Sequence, residues 1–272
     1  NAASSTTQWG IGSASVVLEA LTVNGRPTSL CLAYPSVSAM PTVGPVTLGQ
    51  DLYWRLLSGQ EVLPIQRGAG HPLNEKAAGH KIAGQLGGRY EDYNFIICHL
   101  GGGITVNAHE KGRIIDSHIN AFSPERAGAL PMIAFTKKCF SGEWDYDAAF
   151  KRQMGGGGLV AYLGTSDIQE GERRIDAGDE KADFYFNAMI YQIAKDIGGM
   201  ATVMNGQVDR VILTGEIARS ARLVERLKAR VEFIAPVEVV PGAVEMQALV
   251  DGTLRMLRGE ELVRDYDTER ND

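Results

Sequence analysis

The sequence predicts an α/β fold organised as two lobes, and three observations carry that expectation. Strand-like runs rich in β-branched and aromatic residues alternate with amphipathic helical stretches along the second half of the chain. A length of 272 residues is long for one domain and short for two large ones, which favours two compact lobes meeting at a cleft. The 32 glycines exceed ordinary usage and gather at Gly101, Gly102 and Gly103 and again at residues 155–158, where tight backbone turns near a ligand are the expected reason.

Taken in order, residues 74–88 (NEKAAGHKIAGQLGG) set Ala77, Ala78, Ile82 and Leu86 near one face and end in glycine, which predicts a helix. NFIICHL has the composition of a buried strand, and ITVNAHE and RIIDSH follow it across the turns GGG and EKG, so a three-stranded meander is expected. Ser123, Pro124 and Glu125 then read as a capped helix start, predicting a helix over 123–140. The charged stretch DIQEGERRIDAG leads into a long apolar helix over 179–204, expected at the centre of the core. DRVILTG is a strand closed by a glycine turn before the helix ARSARLVERLKAR. VEVVPGAVEMQALVDGTLRML adds a strand, a Pro-Gly turn and a last helix, followed by a charged tail.

Composition narrows the function. The formal net charge of -6, with no basic run interleaved with aromatics, argues against a nucleic-acid partner. No apolar stretch approaches the roughly 18 to 20 residues of a spanning helix, and the opening NAASSTTQWG lacks a charged region followed by an apolar one, so a cytoplasmic protein without a membrane partner is expected. Cys31, Cys98 and Cys139 are odd in number and share no ligand spacing, which fits reduced thiols. The chain opens on Asn1 instead of methionine, as a trimmed or incomplete start would.

Two chemistries compete at HLGGG. Glycines can turn several backbone N–H groups toward a phosphate, with His99 as an added donor and Asp116, at the end of the meander, positioned to hold a magnesium water. A triple glycine after a strand is equally a tight hairpin, and spacing leaves both readings open. Gly215 before a helix reads as a nucleotide turn or as a plain turn. Arg126 beside Glu125 reads as a phosphate clamp or, favoured by the local sequence, as a surface ion pair. Glu245 reads as a magnesium-linked carboxylate or, narrowly favoured, as a helix-dipole charge.

NFIICHLGGGITVNAHEKGRIID, FSPERAGALP, CFSGEWDYDAAF, GGLVAYLGTSD, RRIDAGDEKA, AMIYQIAKDIG, VILTGEIA and EMQALVDGTLRMLRGEE stand in an order and spacing that resemble the butyrate kinases of the acetokinase family, over residues 60–265. RLLSG and HPLNEKA upstream also fit, VGPV resembles the family's VDPV, and NAASSTT its opening NPGSTST. The resemblance implies the superfamily of acetate and sugar kinases, heat shock cognate and actin, with two ribonuclease H-like lobes. Here they would be a reduced N-terminal lobe over 1–70 and a C-terminal nucleotide-binding lobe over 71–272. It implies transfer of the ATP γ-phosphate to a butyrate- or isobutyrate-like carboxylate, with ADP released, Mg²⁺ required and a homo-oligomeric state. By residue, it implies catalytic roles for His99 and Arg126 and nucleotide contacts at Ser4, Ser5, Gly101, Gly102, Gly103, Gly215, Glu216, Ile217 and Ala218. Asp116 and Glu245 would stand on the metal side.

The chain departs from the family where chemistry is concentrated. Gln8 replaces the lysine and Ala3 the glycine of the opening loop, and Gly44 replaces the aspartate of VDPV. Glu216 replaces the second glycine of TGG, and Ala243 the glutamate of PGE. The stretch LDGEGP before FSPER and the upstream VGRGG region have no counterpart. An inactive relative retained for binding or structure is therefore the alternative to an active kinase. A dinucleotide-dependent oxidoreductase is disfavoured, because no glycine fingerprint opens a helix after the first strand.

Overall fold

The computed structural model describes residues 71–119 and 121–260, together with strands β1 (Val16–Thr22) and β2 (Arg26–Ala33). The chain forms two compact units, one of residues 1–77 with 244–272 and one of residues 78–243. In the first unit β1 and β2 pair antiparallel, with a register shift between Ala20 and Leu21. The same unit contains the start of helix α1 (Pro72–Gln85) and all of helix α8 (Glu245–Leu257). The side-chain oxygen of Asn74 accepts from the Val244 N–H at 2.9 Å, just before α8 begins.

The second unit is built on a five-stranded sheet in the order β5-β4-β3-β6-β7. Its strands are β3 (Asn94–Leu100), β4 (Ile104–Glu110), β5 (Arg113–His118), β6 (Arg210–Gly215) and β7 (Val237–Pro241). The first three form the expected antiparallel meander, whereas β3, β6 and β7 run parallel. β3 lies between β4 and β6 and all seven of its residues are buried, which is why NFIICHL carries no polar alternation. On one face Ile96, Cys98 and Leu100 join Val106, Val211 and Leu213 in the main core. On the other face Phe95, Ile97, Ile212 and Val240 pack with Tyr90 and with Ala78, Ile82 and Ala83 from the later turns of α1.

Helix α6 (Glu180–Val203) supplies the centre of the main core, as expected. Phe186, Ile190, Ile193 and Ile197 repeat at helical spacing and are fully buried, each worth about 1.5–3 kcal/mol of transfer free energy. Asp179 caps its first turn by accepting from the Ala182 N–H at 3.0 Å. That bond, and then the Arg174 guanidinium, hold the Asp179 carboxyl below its ordinary range. Helix α7 (Ala221–Val231) packs against α6 through Leu223, Leu227 and Val231. Its cap, Ser220, accepts from the Leu223 N–H at 3.0 Å and donates to Glu172 at 2.6 Å. Ser220→Ala is expected to cost about 1–2 kcal/mol in urea unfolding, because one hydroxyl serves both the helix end and a carboxylate 48 residues away.

The reading of residues 123–140 as one helix is corrected. Residues 121–131 form a non-helical strap, and helix α2 (Met132–Cys139) starts only after Pro131. Ser123 does cap a backbone N–H, that of Arg126 at 3.0 Å, but within a tight turn closed by the Ser123 N–H on the Arg126 carbonyl. Gly128, at φ 76, then breaks the direction of the chain, and a Cβ there would meet Phe122 Cα at 2.9 Å. Three short helices follow: α3 (Tyr146–Gln153), α4 (Gly158–Leu163) and α5 (Ile168–Asp176). The stretch containing DIQEGERRIDAG thus holds α5, capped by Asp167. Cys98 and Cys139 are free thiols, and no helix among the described residues is long and apolar enough to cross a membrane.

Candidate functional site

The carboxyl ends of the parallel strands converge on one edge of the sheet, and each is followed by glycine: Gly101 to Gly103 after β3, Gly215 closing β6, Gly242 after β7. In register His99 stands between Thr105 of β4 and Thr214 of β6, and the three are 4%, 0% and 1% exposed. A face that is apolar at Phe95 and Ile97 therefore becomes polar at its end. Asn107 and Ser117 extend the polar row across β4 and β5, with the Ser117 hydroxyl donating to Asn107. Buried polar groups at strand ends under a glycine turn are the arrangement in which open α/β sheets bind ligands.

The turn itself is fixed from below by the strap. The Gly102 carbonyl accepts from the Glu125 N–H at 3.0 Å and from the Ser123 hydroxyl at 2.8 Å. Arg126 lies across Gly103 so closely that a Cβ on that glycine would fall 2.3 Å from the guanidinium carbon. A Cβ on Gly102 would likewise meet the Glu125 carboxylate at 3.1 Å. His99 Nε2 would be 3.3 Å from a Cβ on Gly101. Gly103 is thus required by the present position of Arg126, while Gly101 and Gly102 leave only tight space beside His99 and Glu125. This is more than a tight hairpin demands.

Arg126 is not a surface ion pair. Its Nη1 donates to the Ile119 carbonyl at 2.8 Å, and burial pushes the guanidinium below its ordinary pKa while the charge of Glu125 opposes that shift. The strap holding it is pinned on its far side by the start of α4. Leu159 N–H donates to Ser123, Val160 N–H to Pro124 and Gly155 N–H to Glu125, at 3.3, 3.0 and 2.8 Å. The Leu159 and Val160 bonds satisfy N–H groups that the start of α4 leaves unpaired, and Gly155, in the loop before it, adds the third tie to the strap that carries Arg126.

Residues far apart in sequence therefore meet here: His99 and Gly101, Gly102 and Gly103, then Arg126, then Thr214 and Gly215. Gly215, at φ 91, is a close-approach glycine, since a Cβ there would sit 2.3 Å from the Leu100 carbonyl oxygen. It lets the ends of β3 and β6 lie together beneath the HLGGG turn. After it, residues 216–219 form a single 3-10 turn in which Ala218 is buried in the main core and Ile217 packs against it. Glu216 is exposed and pairs with Arg219 at 2.8 Å, which holds its carboxyl below the ordinary range.

Asp116 is not brought to this edge. It is in register with Ala108, which shares the main-core face, whereas His99 and Thr105 lie on the other face. One of its oxygens accepts from the Ser117 N–H at 2.7 Å. Glu245 opens α8, where its charge suits the helix start, and it belongs to the first unit. Among the described residues no three His, Cys, Asp or Glu side chains converge as a metal site. Ser4, Ser5, Ala3, Gln8 and Gly44 lie outside the described residues. Local sequence gave no sign of Thr105, Thr214 or Ile119, which enter through strand register and the strap.

On the main-core face of β5, His118 Nε2 lies 3.6 Å from Asp196 of α6. Desolvation raises the Asp196 pKa, and the nearby His118 and Lys195 only partly offset it. An acid with a raised folded-state pKa destabilises the fold as pH climbs from its unfolded to its folded value, and fully above that. Asp196→Asn is therefore expected to raise the melting temperature at pH 7, with the gain vanishing near pH 3.5, as thermal melts at the two pH values would show.

Residues 147–239 match the model of the acetokinase family, and residues 1–108 match that of the N-terminal domain of a protein of unknown function, DUF3048. Among solved structures the chain resembles Porphyromonas gingivalis acetate kinase, with a TM-score of 0.65 and 20% identity, over 71% of this chain and 56% of that one. It also resembles a propionate kinase from Francisella tularensis subsp. tularensis SCHU S4, with a TM-score of 0.63 and 17% identity over 69% and 55%. Acetate kinase from Entamoeba histolytica matches with a TM-score of 0.61 and 17% identity over 79% and 63%. The chain thus spans 55 to 63% of the length of these three proteins. Residues 147–239 thus carry the acetokinase match, and over about 70% of its length the chain has the α/β fold of these acetate and propionate kinases.

Proposed function

We propose that the chain acts as an acyl kinase, moving the γ-phosphate of ATP to a short-chain carboxylate of the butyrate type. The observation that carries the proposal is Arg126 held across Gly103 by Ile119, in the glycine turn that follows His99 where β3 runs beside β6. A hairpin alone needs no half-buried guanidinium laid across it. A transferring phosphoryl is stabilised by a cation of this kind together with backbone N–H groups, because its charge is spread over three equatorial oxygens.

In this reading the N–H groups of Gly101, Gly102 and Gly103 hold the phosphates and His99 adds a donor next to Gly101. Arg126 shares the charge on the phosphoryl as it passes. A carboxylate oxygen forms the new O–P bond while the bond from phosphorus to the bridging oxygen breaks, and ADP leaves with that oxygen. Magnesium bound with the nucleotide would supply charge neutralisation at the phosphates. Glu216 does not argue against this, since it is exposed and already paired with Arg219.

The test is hydroxylamine trapping of acyl phosphate from butyrate, isobutyrate, propionate and acetate with Mg-ATP and the full chain. Hydroxamate is expected, greatest with butyrate or isobutyrate. Folded protein that yields none from any of the four overturns the proposal. A thermal shift run alongside addresses the inactive alternative, since ATP at a hundred times its dissociation constant adds about 2.7 kcal/mol. Absence of both signals would assign the chain to that alternative. Rescue by Gly44→Asp with Glu216→Gly would then trace the loss to those two positions.

A further inference from the structure

The glycine turn after β3 is flanked by two charges of opposite sign. Arg126 lies over Gly103, and Glu125 lies over Gly102, with its carboxylate oxygens 3.1 and 3.3 Å from where a Cβ on that glycine would stand. The Glu125 backbone is held on both sides. Its N–H donates to the Gly102 carbonyl at 3.0 Å and its carbonyl accepts from the Gly155 N–H at 2.8 Å. The residue is half-buried, and its charge reaches Arg126 on the neighbouring glycine. A carboxylate fixed in this way is a poor neighbour for a polyphosphate. Like charges this close oppose one another, and partial burial weakens the screening that water would give. A divalent cation between them reverses the sign. Magnesium is ordinarily held by one or two carboxylates together with phosphate oxygens and water, so a single acid beside a phosphate turn suits that ion.

We infer that Glu125 is the specificity residue that makes this turn accept a magnesium-bound polyphosphate and reject the bare anion. The inference rests on the kinase reading above, in which the N–H groups of Gly101, Gly102 and Gly103 take the phosphates. The acids that the sequence singles out do not fill this role. Asp116 stands on the main-core face of the sheet, and Glu216 is exposed and engaged by Arg219. Glu245 complements the start of its own helix. Glu125 acts through a difference of affinities: it attracts the cation that arrives with the nucleotide and repels nucleotide that comes without one. Glu125 thus answers the metal and Arg126 the phosphoryl, one glycine apart.

Equilibrium dialysis of the full chain against ATP, once with excess Mg²⁺ and once with EDTA, reads this directly. Wild type should bind ATP more tightly with magnesium by about tenfold or more, a coupling of the size usual between two ligands. Glu125→Gln, which keeps the shape and removes the charge, should bind more weakly with magnesium and more tightly without it, leaving the two affinities within about threefold. A role confined to steadying Arg126 or the strap predicts the same loss in both conditions, and that result overturns the inference. Glu125→Asp, which keeps the charge on a shorter side chain, should still bind ATP more tightly with magnesium, and it carries the test if Glu125→Gln does not fold. An Asp variant without that preference also overturns the inference. Wild type that binds ATP equally in both conditions overturns it and leaves the kinase reading standing, whereas wild type that binds ATP in neither removes both.

Discussion

Arg126→Ala is expected to lower acyl phosphate formation by about 100- to 1,000-fold, the range found when one preorganised donor is removed from a charge-stabilising site. The loss should fall on kcat more than on KM, because the guanidinium is placed for the moving phosphoryl. Arg126→Lys should recover little, since an ammonium cannot both donate to the Ile119 carbonyl and span Gly103. The sharper test is Gly103→Ala. Its Cβ would overlap the guanidinium, with the nearest atom at 2.3 Å, so the arginine must leave although its own codon is untouched. The two single variants should then be similarly impaired and the double variant no worse than either, a non-additivity that unrelated defects would not show. Hydroxamate rates within threefold of wild type in Arg126→Ala would remove this residue from the chemistry.

How much of this was legible in the sequence differs from element to element. NFIICHL, ITVNAHE and RIIDSH are strands to the residue, because a chain buried on both faces or alternating across one leaves a strong local pattern. The long helix is bounded by Asp179 and Met204, at the residues its composition suggested. Ser-Pro-Glu failed as a helix start because the signal is local and the outcome was decided elsewhere. The Gly102 carbonyl and the N–H groups of α4 took the partners a helix would have used. Arg126 was misread for the same reason, since adjacency to Glu125 says nothing about Ile119 or Gly103.

The site was half legible. His99 and the glycines were visible as a motif, but what makes them a site is strand register, which sets Thr105 and Thr214 on either side of His99. Register is a property of paired strands and has no trace in one of them. Asp116 shows the converse. It lies near the motif along the meander, yet the two-residue alternation of β5 turns it to the opposite face.

The largest loss of stability is expected from Gly158→Ala. This glycine opens α4 at φ 59, and a Cβ on it would lie 1.9 Å from the Ser123 carbonyl oxygen, 2.8 Å from that of Arg126 and 2.9 Å from that of Pro124. All three are backbone atoms of a closed turn, so no side chain can swing away to relieve the clash. The strap or the helix must move, and with it go the bonds that Leu159 and Val160 make to Ser123 and Pro124. A cost above about 4 kcal/mol follows from combining strain at a positive φ with loss of those bonds. At about 2–4 °C per kcal/mol, the melting temperature should fall by roughly 10 °C. Gly164→Ala is the control, because it shares a positive φ of 78 but a Cβ there meets nothing within 4 Å. It should lose only about 1 kcal/mol, the conformational penalty alone. Urea unfolding of the two variants separates steric exclusion from backbone preference. If they prove alike, the strap is free to yield at Gly158, and the same freedom would undo the fixed placement of Arg126.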